Sequence, residues 1–187
     1  MKLHIKNMVC DRCKTAVRHE LEKLGWHPQS VTLGGVELER EPDAAQHKEI
    51  SNRLRALGFE LLDDPKEKTV ESIKNAIIEM VHYQDNEPLK FNYSDYIAQK
   101  VGRDYGYLSS LFSESEGVTI EKHIISQKVE RAKELLLYGE LSLGEIADLL
   151  KYSSVQHLSN QFKKVTGLTP GQFKHLPENR RKALDRV

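Results

Sequence analysis

Residues 97–119 read IAQKVGRDYGYLSSLFSESEGVT, and residues 146–169 read IADLLKYSSVQHLSNQFKKVTGLT. The second stretch repeats the first. Ile97-Ala98 returns as Ile146-Ala147, and Leu108-Ser109, Phe112, Gly117 and Thr119 return as Leu158-Ser159, Phe162, Gly167 and Thr169. The second set shares one common displacement, and the Ile-Ala pair is displaced by one residue less. A single extra residue therefore sits in the turn of the second copy. Two copies are too few for a solenoid, whose core is built by stacking several repeats. The spacing predicts a duplicated helix-turn-helix.

Such a unit needs a support helix, a tight turn and a second helix that is apolar inward and polar outward, so that the outer face can enter a major groove. In the second copy Ile146, Ala147 and Leu150 form the support, and Leu158, Phe162 and Val165 are expected to anchor the next helix. The outward positions are Ser154, Val155, Gln156, Ser159, Asn160 and Lys163, with Lys164 beside them. Gln and Asn amides donate and accept together, which suits adenine edges. Ser and Lys reach phosphates, which position a protein on DNA without specifying sequence. The corresponding residues of the first copy are Asp104, Tyr105, Gly106, Ser109 and Ser110. That face is less basic and has no long amide, so it is expected to read sequence more weakly.

Ile125, Val129, Ala132 and Leu136 recur at helical spacing between the copies. A helix there of about nineteen residues spans roughly 28 Å, close to the ~34 Å of one DNA turn. Ser142-Leu143-Gly144-Glu145 is a capping box that starts the second copy. Thr169-Pro170 pairs an N-cap with proline at N1 and opens a last short helix. Arg180, Arg181, Lys182 and Arg186 form a basic tail, expected to be a solvated end.

The first sixty-odd residues have a different rhythm. Leu3 and Ile5 alternate with Lys2, His4 and Lys6, as a half-buried strand does. Ala16, Val17, Leu21 and Leu24 follow at helical spacing, with Gly25 as the stop. Val31-Thr32-Leu33 and Val36-Glu37-Leu38 flank Gly34-Gly35, a two-residue hairpin signal. Ile50, Leu54 and Leu57 mark a second helix ending at Gly58, and Phe59-Glu60-Leu61 opens a last strand. The order βαββαβ is that of a ferredoxin-like fold. The fold class is thus α+β. Residues 1–64 form the ferredoxin-like domain, 65–90 a connector and 91–187 the all-α double helix-turn-helix domain. The connector carries a stripe of Val70, Ile73, Ile77, Met80 and Val81 and breaks at Asp85-Asn86-Glu87-Pro88.

A composition of 30% charged and 39% hydrophobic residues belongs to a globular chain. The net charge of zero gives no support for wholesale polyanion binding, so a nucleic-acid surface must come from local placement. No apolar run reaches the ~20 residues of a bilayer span, and the amino terminus lacks the apolar block of a signal peptide. A cytoplasmic protein without a membrane partner is expected. No nucleophile–base–orienter set and no phosphate-cradling glycine loop is present, so an enzyme is not expected.

The two cysteines, Cys10 and Cys13, lie between the first strand and the first helix. A helix amino end favours thiolate, and thiolates suit Cu(I) and Zn(II). Two sulfurs serve Cu(I); zinc needs about two further ligands, for which His4 and His27 are candidates. Dithiol redox sensing and a structural role are the alternatives for this pair.

From Tyr93 to Leu176 the chain resembles the DNA-binding domain of AraC/XylS-type transcription regulators. The likeness is carried by Ile146-Ala147-Asp148-Leu149-Leu150-Lys151-Tyr152-Ser153-Ser154, by Phe162 to Pro170 and by the closing Phe173. It implies sequence-specific binding of double-stranded DNA. Lys151 stands where that family usually has a turn glycine, so it either strains the turn or takes a left-handed backbone. Residues 1 to about 62 resemble a heavy-metal-associated domain through Met8-x-Cys10-x-x-Cys13 and Phe59, with Met8 packed inward. The charged Asp11-Arg12 departs from the small residues common in metal chaperones. This second likeness implies a soft metal ion as effector, and a two-sulfur site could be shared across a homodimer. A Cu(I) carrier with a helical docking module is the competing reading.

Overall fold

Alternation at the amino terminus becomes strand β1 (Lys2–Lys6), with Leu3 and Ile5 buried. The computed structural model describes residues 1–83, 92–176 and 181–187; the break expected at Asp85 to Pro88, and Arg180, lie outside them. After β1 come α1 (Asp11–Lys23), β2 (Ser30–Thr32), β3 (Gly35–Glu37), α2 (Ala44–Ala56) and β4 (Glu60–Leu62). The sheet order is β2-β3-β1-β4, and every neighbouring pair is antiparallel. The two helices pack on the face that carries Ile5 and Val36, where Val17, Leu21, Ile50, Leu54 and Met8 share one core. Each such aliphatic contributes about 1.5–3 kcal/mol by leaving water, so this small unit has a core of its own.

Two local readings shift. The hairpin turn is Leu33-Gly34, and Gly35 is already in β3 opposite Thr32. Gly34 has φ +74, and a Cβ there would lie 2.1 Å from the Asn75 side chain. Glycine is needed for both reasons. Leu57, expected on the buried stripe of α2, is 48% exposed because the helix has ended at Ala56.

Asp64 caps α3 (Pro65–Ile78) by accepting from the Lys66 and Glu67 amides, with proline at N1. The helix continues as a π turn, Glu79–Tyr83. Then follow α4 (Tyr93–Val101), α5 (Tyr105–Glu116), α6 (Ile120–Tyr138), α7 (Leu143–Leu149), α8 (Val155–Thr166) and α9 (Pro170–Lys174). Val70, Ile73, Ile77 and Met80 share one core with Ile97, Leu108 and Phe112. A second core joins Ala132, Ile146, Leu158, Phe162 and Phe173.

Helix α6 belongs to both cores, through Ile120 and Ile124 at one end and Val129, Ala132 and Leu136 at the other. Ile124 takes the buried place expected of Ile125, which is half-buried. The tail is a solvated end only in part: Lys182 and Arg186 are exposed, but the segment is tied to α6. The Lys182 amide donates to Glu130 at 2.9 Å, the Gln127 amide to the Leu184 carbonyl at 3.1 Å, and Arg181 pairs with Glu134 at 3.2 Å. Glu130 is only 3% exposed, and a carboxylate so placed needs partners.

Candidate nucleic-acid interface

Ser142 and Glu145 close the capping box: the Ser142 amide donates to Glu145 at 2.7 Å, and the Glu145 amide to the Ser142 hydroxyl at 3.3 Å. Helix α7 ends in a Schellman motif. The Lys151 amide donates to the Asp148 carbonyl at 3.0 Å and the Tyr152 amide to the Ala147 carbonyl at 2.8 Å. Lys151 stands at the left-handed position with φ +56, where the first unit has Gly102 at φ +73. Of the two alternatives open from sequence, the left-handed backbone is the one adopted.

Ser154 caps α8 by accepting from the His157 amide at 3.1 Å. Leu158 and Phe162 are fully buried, and Phe162 meets Phe173 edge-on at 5.5 Å. Val155, Gln156, Asn160, Lys163 and Lys164 are exposed; Ser159 is half-buried. Val165, read as an anchor, is 45% exposed: it lies one turn outside the stripe that Leu158 and Phe162 define. Gln156 Nε2 donates to Asn160 Oδ1 at 2.8 Å. The two amides hold each other, leaving Gln156 Oε1 to accept and Asn160 Nδ2 to donate outward. That is the complement of an adenine's major-groove edge.

In the first unit Asp104 caps α5 by accepting from the Tyr107 amide at 3.1 Å. Gly106 and Ser110 are exposed and Ser109 is half-buried. Tyr105 is drawn back toward α6, donating its hydroxyl to Glu121 at 2.8 Å, and burial pushes its phenol up to about 12. The outward aromatic is instead Tyr107, 48% exposed, in register with His157 of the second unit. Neither was singled out by sequence reading. The repeat carried the signal, since it maps residue 107 onto 157 as it maps Leu108 onto Leu158.

A helix-turn-helix domain family model matches residues 97–175. A transcriptional regulator of the HTH type from the cgkA 5′ region of Pseudoalteromonas carrageenovora is 31% identical over 115 residues, 59% of this chain and 68% of that protein. The xylose operon regulatory protein of Escherichia coli K12 is 33% identical over 99 residues, 53% of this chain and 25% of that protein. The chain belongs to the HTH-type transcriptional regulators. The relatives of this regulator are transcription factors, not enzymes. The chain spans a quarter or less of the longer curated relatives it matches, 25% of the E. coli protein and 13% of YtdP from Bacillus subtilis. Among solved structures, the C-terminal domain of the response regulator yesN from Fusobacterium nucleatum aligns with 31% identity and TM-score 0.46, covering 55% of this chain and 94% of that one. No helix among the described residues of the regulator is long and apolar enough to cross a membrane.

The regulator's cysteines stand at the start of α1, with Cys10 at the N-cap and Sγ to Sγ 3.1 Å. Both are half-buried free thiols. Met8 is fully buried, as its inward packing predicts. Burial pushes the Cys13 thiol up, with the Cys10 side chain adding to the rise, and outweighs the opposing hydrogen bonds from the Val9 and Cys10 backbone. The helix start alone therefore does not make Cys13 a ready thiolate. Among the described residues no third His, Cys, Asp or Glu joins the pair, so His4 and His27 do not complete a four-ligand zinc site. The Tyr83 hydroxyl, from the π turn after α3, donates to the Val9 carbonyl at 2.8 Å. On the same turn His82 Nε2 meets Gln127 Oε1 of α6 at 3.0 Å.

Proposed function

We propose that this regulator binds double-stranded DNA with α8 and α5 in successive major grooves of one face. On this reading Gln156 and Asn160 are the principal base readers, Ser154, Lys163 and Lys164 contact phosphates, and Val155 and Ser159 pack beside the bases. Gly106, Ser109, Ser110 and the partly withdrawn Tyr105 make the weaker first contact. The observation that carries it is the Gln156–Asn160 hydrogen bond, which orders two exposed amides into one bidentate surface. The linking helix supports the spacing: its 19 residues cover about 28 Å, against ~34 Å for a DNA turn. The test is a gel shift with duplexes selected from a random pool, using Gln156→Ala and Asn160→Ala. Both are surface substitutions, so the fold is expected to persist while sequence preference is lost. Unaltered preference would remove these two residues from base reading.

The amino-terminal unit is read here as ferredoxin-like and heavy-metal-associated in type, with Cys10 and Cys13 as a two-sulfur seat for a soft ion such as Cu(I). The route to DNA is short. The thiol loop bonds to Tyr83, and the same π turn bonds through His82 to α6, the helix on which both DNA-facing units are built. An ion that reshapes the loop would bias that turn. Metal content and DNA affinity of the wild type are compared with Cys10→Ser/Cys13→Ser. Equal DNA affinity with and without Cu(I) in both proteins ends the sensing reading and leaves DNA binding intact.

A further inference from the structure

Between the two helix-turn-helix units lies an open cleft of about 590 Å3. His157 and Gln161 of α8 line one side and Tyr105 of α5 the other, so the cleft opens between the two DNA-facing helices. Its floor is Lys128 of α6. That ammonium lies over the Tyr93 ring at 4.8 Å and the Tyr152 ring at 4.9 Å. Lys128 is 8% exposed and makes no ion pair among the described residues. Burial alone pulls its amine down to about 8. The Tyr152 hydroxyl is buried beside it without a hydrogen-bond partner. Among the described residues the cleft's one lining carboxylate, Glu121, is occupied by the Tyr105 hydroxyl.

A buried hydroxyl without a hydrogen-bond partner, beside an ammonium without an ion pair among the described residues, calls for an anion to complete the site. Two further features agree in sign. Lys151 stands at the rim and keeps its side chain in a backbone geometry that glycine would hold more easily. The amino end of α4, at Tyr93 and Ser94, also lines the cleft, and its free N–H groups favour negative charge. In a helix-turn-helix the first helix crosses the DNA backbone, which brings a phosphate to this end of α4.

We propose that Lys128 and Tyr152, with Lys151 at the rim, form a seat for a backbone phosphate of the strand that passes between the two major grooves. The seat rests on the DNA-binding reading above. It positions without reading sequence, which separates it from the Gln156–Asn160 surface. The phosphate accepts from the ammonium and the tyrosine hydroxyl, and the two rings hold the ammonium in place when DNA is absent.

The test uses the full chain and a mixed-sequence 30-base-pair duplex. In Lys128→Gln the slope of log affinity against log salt is expected to become shallower by about 0.9, the value for one phosphate contact. Base preference, measured on selected duplexes, is expected to be unchanged. Tyr152→Phe is expected to weaken duplex binding several-fold without lowering the thermal midpoint. A folding defect in Lys128→Gln is bypassed by the wild type: in 13C-lysine-labelled protein, the Lys128 side-chain titration midpoint should rise when duplex is added. An unchanged slope together with an unmoved midpoint overturns the seat. A midpoint moved by millimolar inorganic phosphate but not by duplex also overturns it, in favour of a small anionic effector. If Gln156→Ala still alters preference in either case, the DNA-binding reading stands without the seat.

Discussion

Lys151→Gly should make this regulator more stable and worse at holding DNA. Lys151 has φ +56 at the left-handed position of the α7 Schellman turn. A side chain in that region costs about 1–2 kcal/mol. Glycine removes that cost but gives the unfolded chain extra freedom, which offsets about 0.5–1 kcal/mol. The backbone hydrogen bonds of the turn do not involve the side chain, so they survive. The net expectation is a gain of about 0.5–1 kcal/mol, a few degrees in thermal midpoint for a domain of about 100 residues. Urea and thermal melts at fixed protein concentration measure it. Lys151→Ala is the control, because it removes the charge and keeps the strained φ. Both variants should lower the salt slope of duplex binding by up to about 0.9, but only the glycine should stabilise. If glycine and alanine variants melt together, the strain argument is wrong.

Burial pulls His82 and His123 each down to about 4. An unfolded histidine titrates near ~6.5, so between those values the unfolded chain binds more protons. Stability should hold above about pH 6.5 and fall as pH drops toward about 4; urea midpoints across that window measure it, and His123→Phe should flatten the slope. Tyr83→Phe deletes the hydrogen bond to Val9 and should cost about 0.5–1.5 kcal/mol, with faster amide exchange confined to residues 8–13; unchanged exchange there would detach the thiol loop from the π turn. Ser142→Ala removes one arm of the α7 capping box and should cost about 1 kcal/mol, seen as a lower urea midpoint.

The duplicated unit was legible because its two buried stripes repeat in register, and burial of Ile97, Phe112, Ile146 and Phe162 follows from that spacing. The βαββαβ order was legible for the same kind of reason, with period two giving way to period 3.6. Apart from the exchange of Ile125 for Ile124 within α6, misses fell at element ends, where periodicity has no partner to enforce it. Leu57 and Val165 match the stripe by spacing alone but lie outside the contact. The tail's docking was hidden because Glu130 and Glu134, its partners, read as ordinary helix-surface carboxylates. The cleft was illegible for a different cause. Tyr93, Lys128 and Tyr152 are far apart in the chain, and no local pattern announces that two rings will enclose one ammonium.

The two units differ in charge at matched positions, and this bears on a chain of net charge zero. Lys163 and Lys164 of α8 correspond to Ser113 and Glu114 of α5, and Gln156 and Asn160 to Gly106 and Ser110. The second unit therefore holds both the local positive field and the amides. The first has carboxylates instead, one of which, Glu116, is neutralised by Lys74 at 2.7 Å. Glu114 is exposed and has no ion pair among the described residues. Glu114→Lys would install in α5 the charge that α8 has at Lys164. Affinity for a mixed-sequence duplex should rise at low salt, with a slope steeper by up to about 0.9. Base preference should stay the same, since no amide has been added. A sharpened preference would mean that α5 reads bases as α8 does, and that the division of labour argued from these matched positions is mistaken.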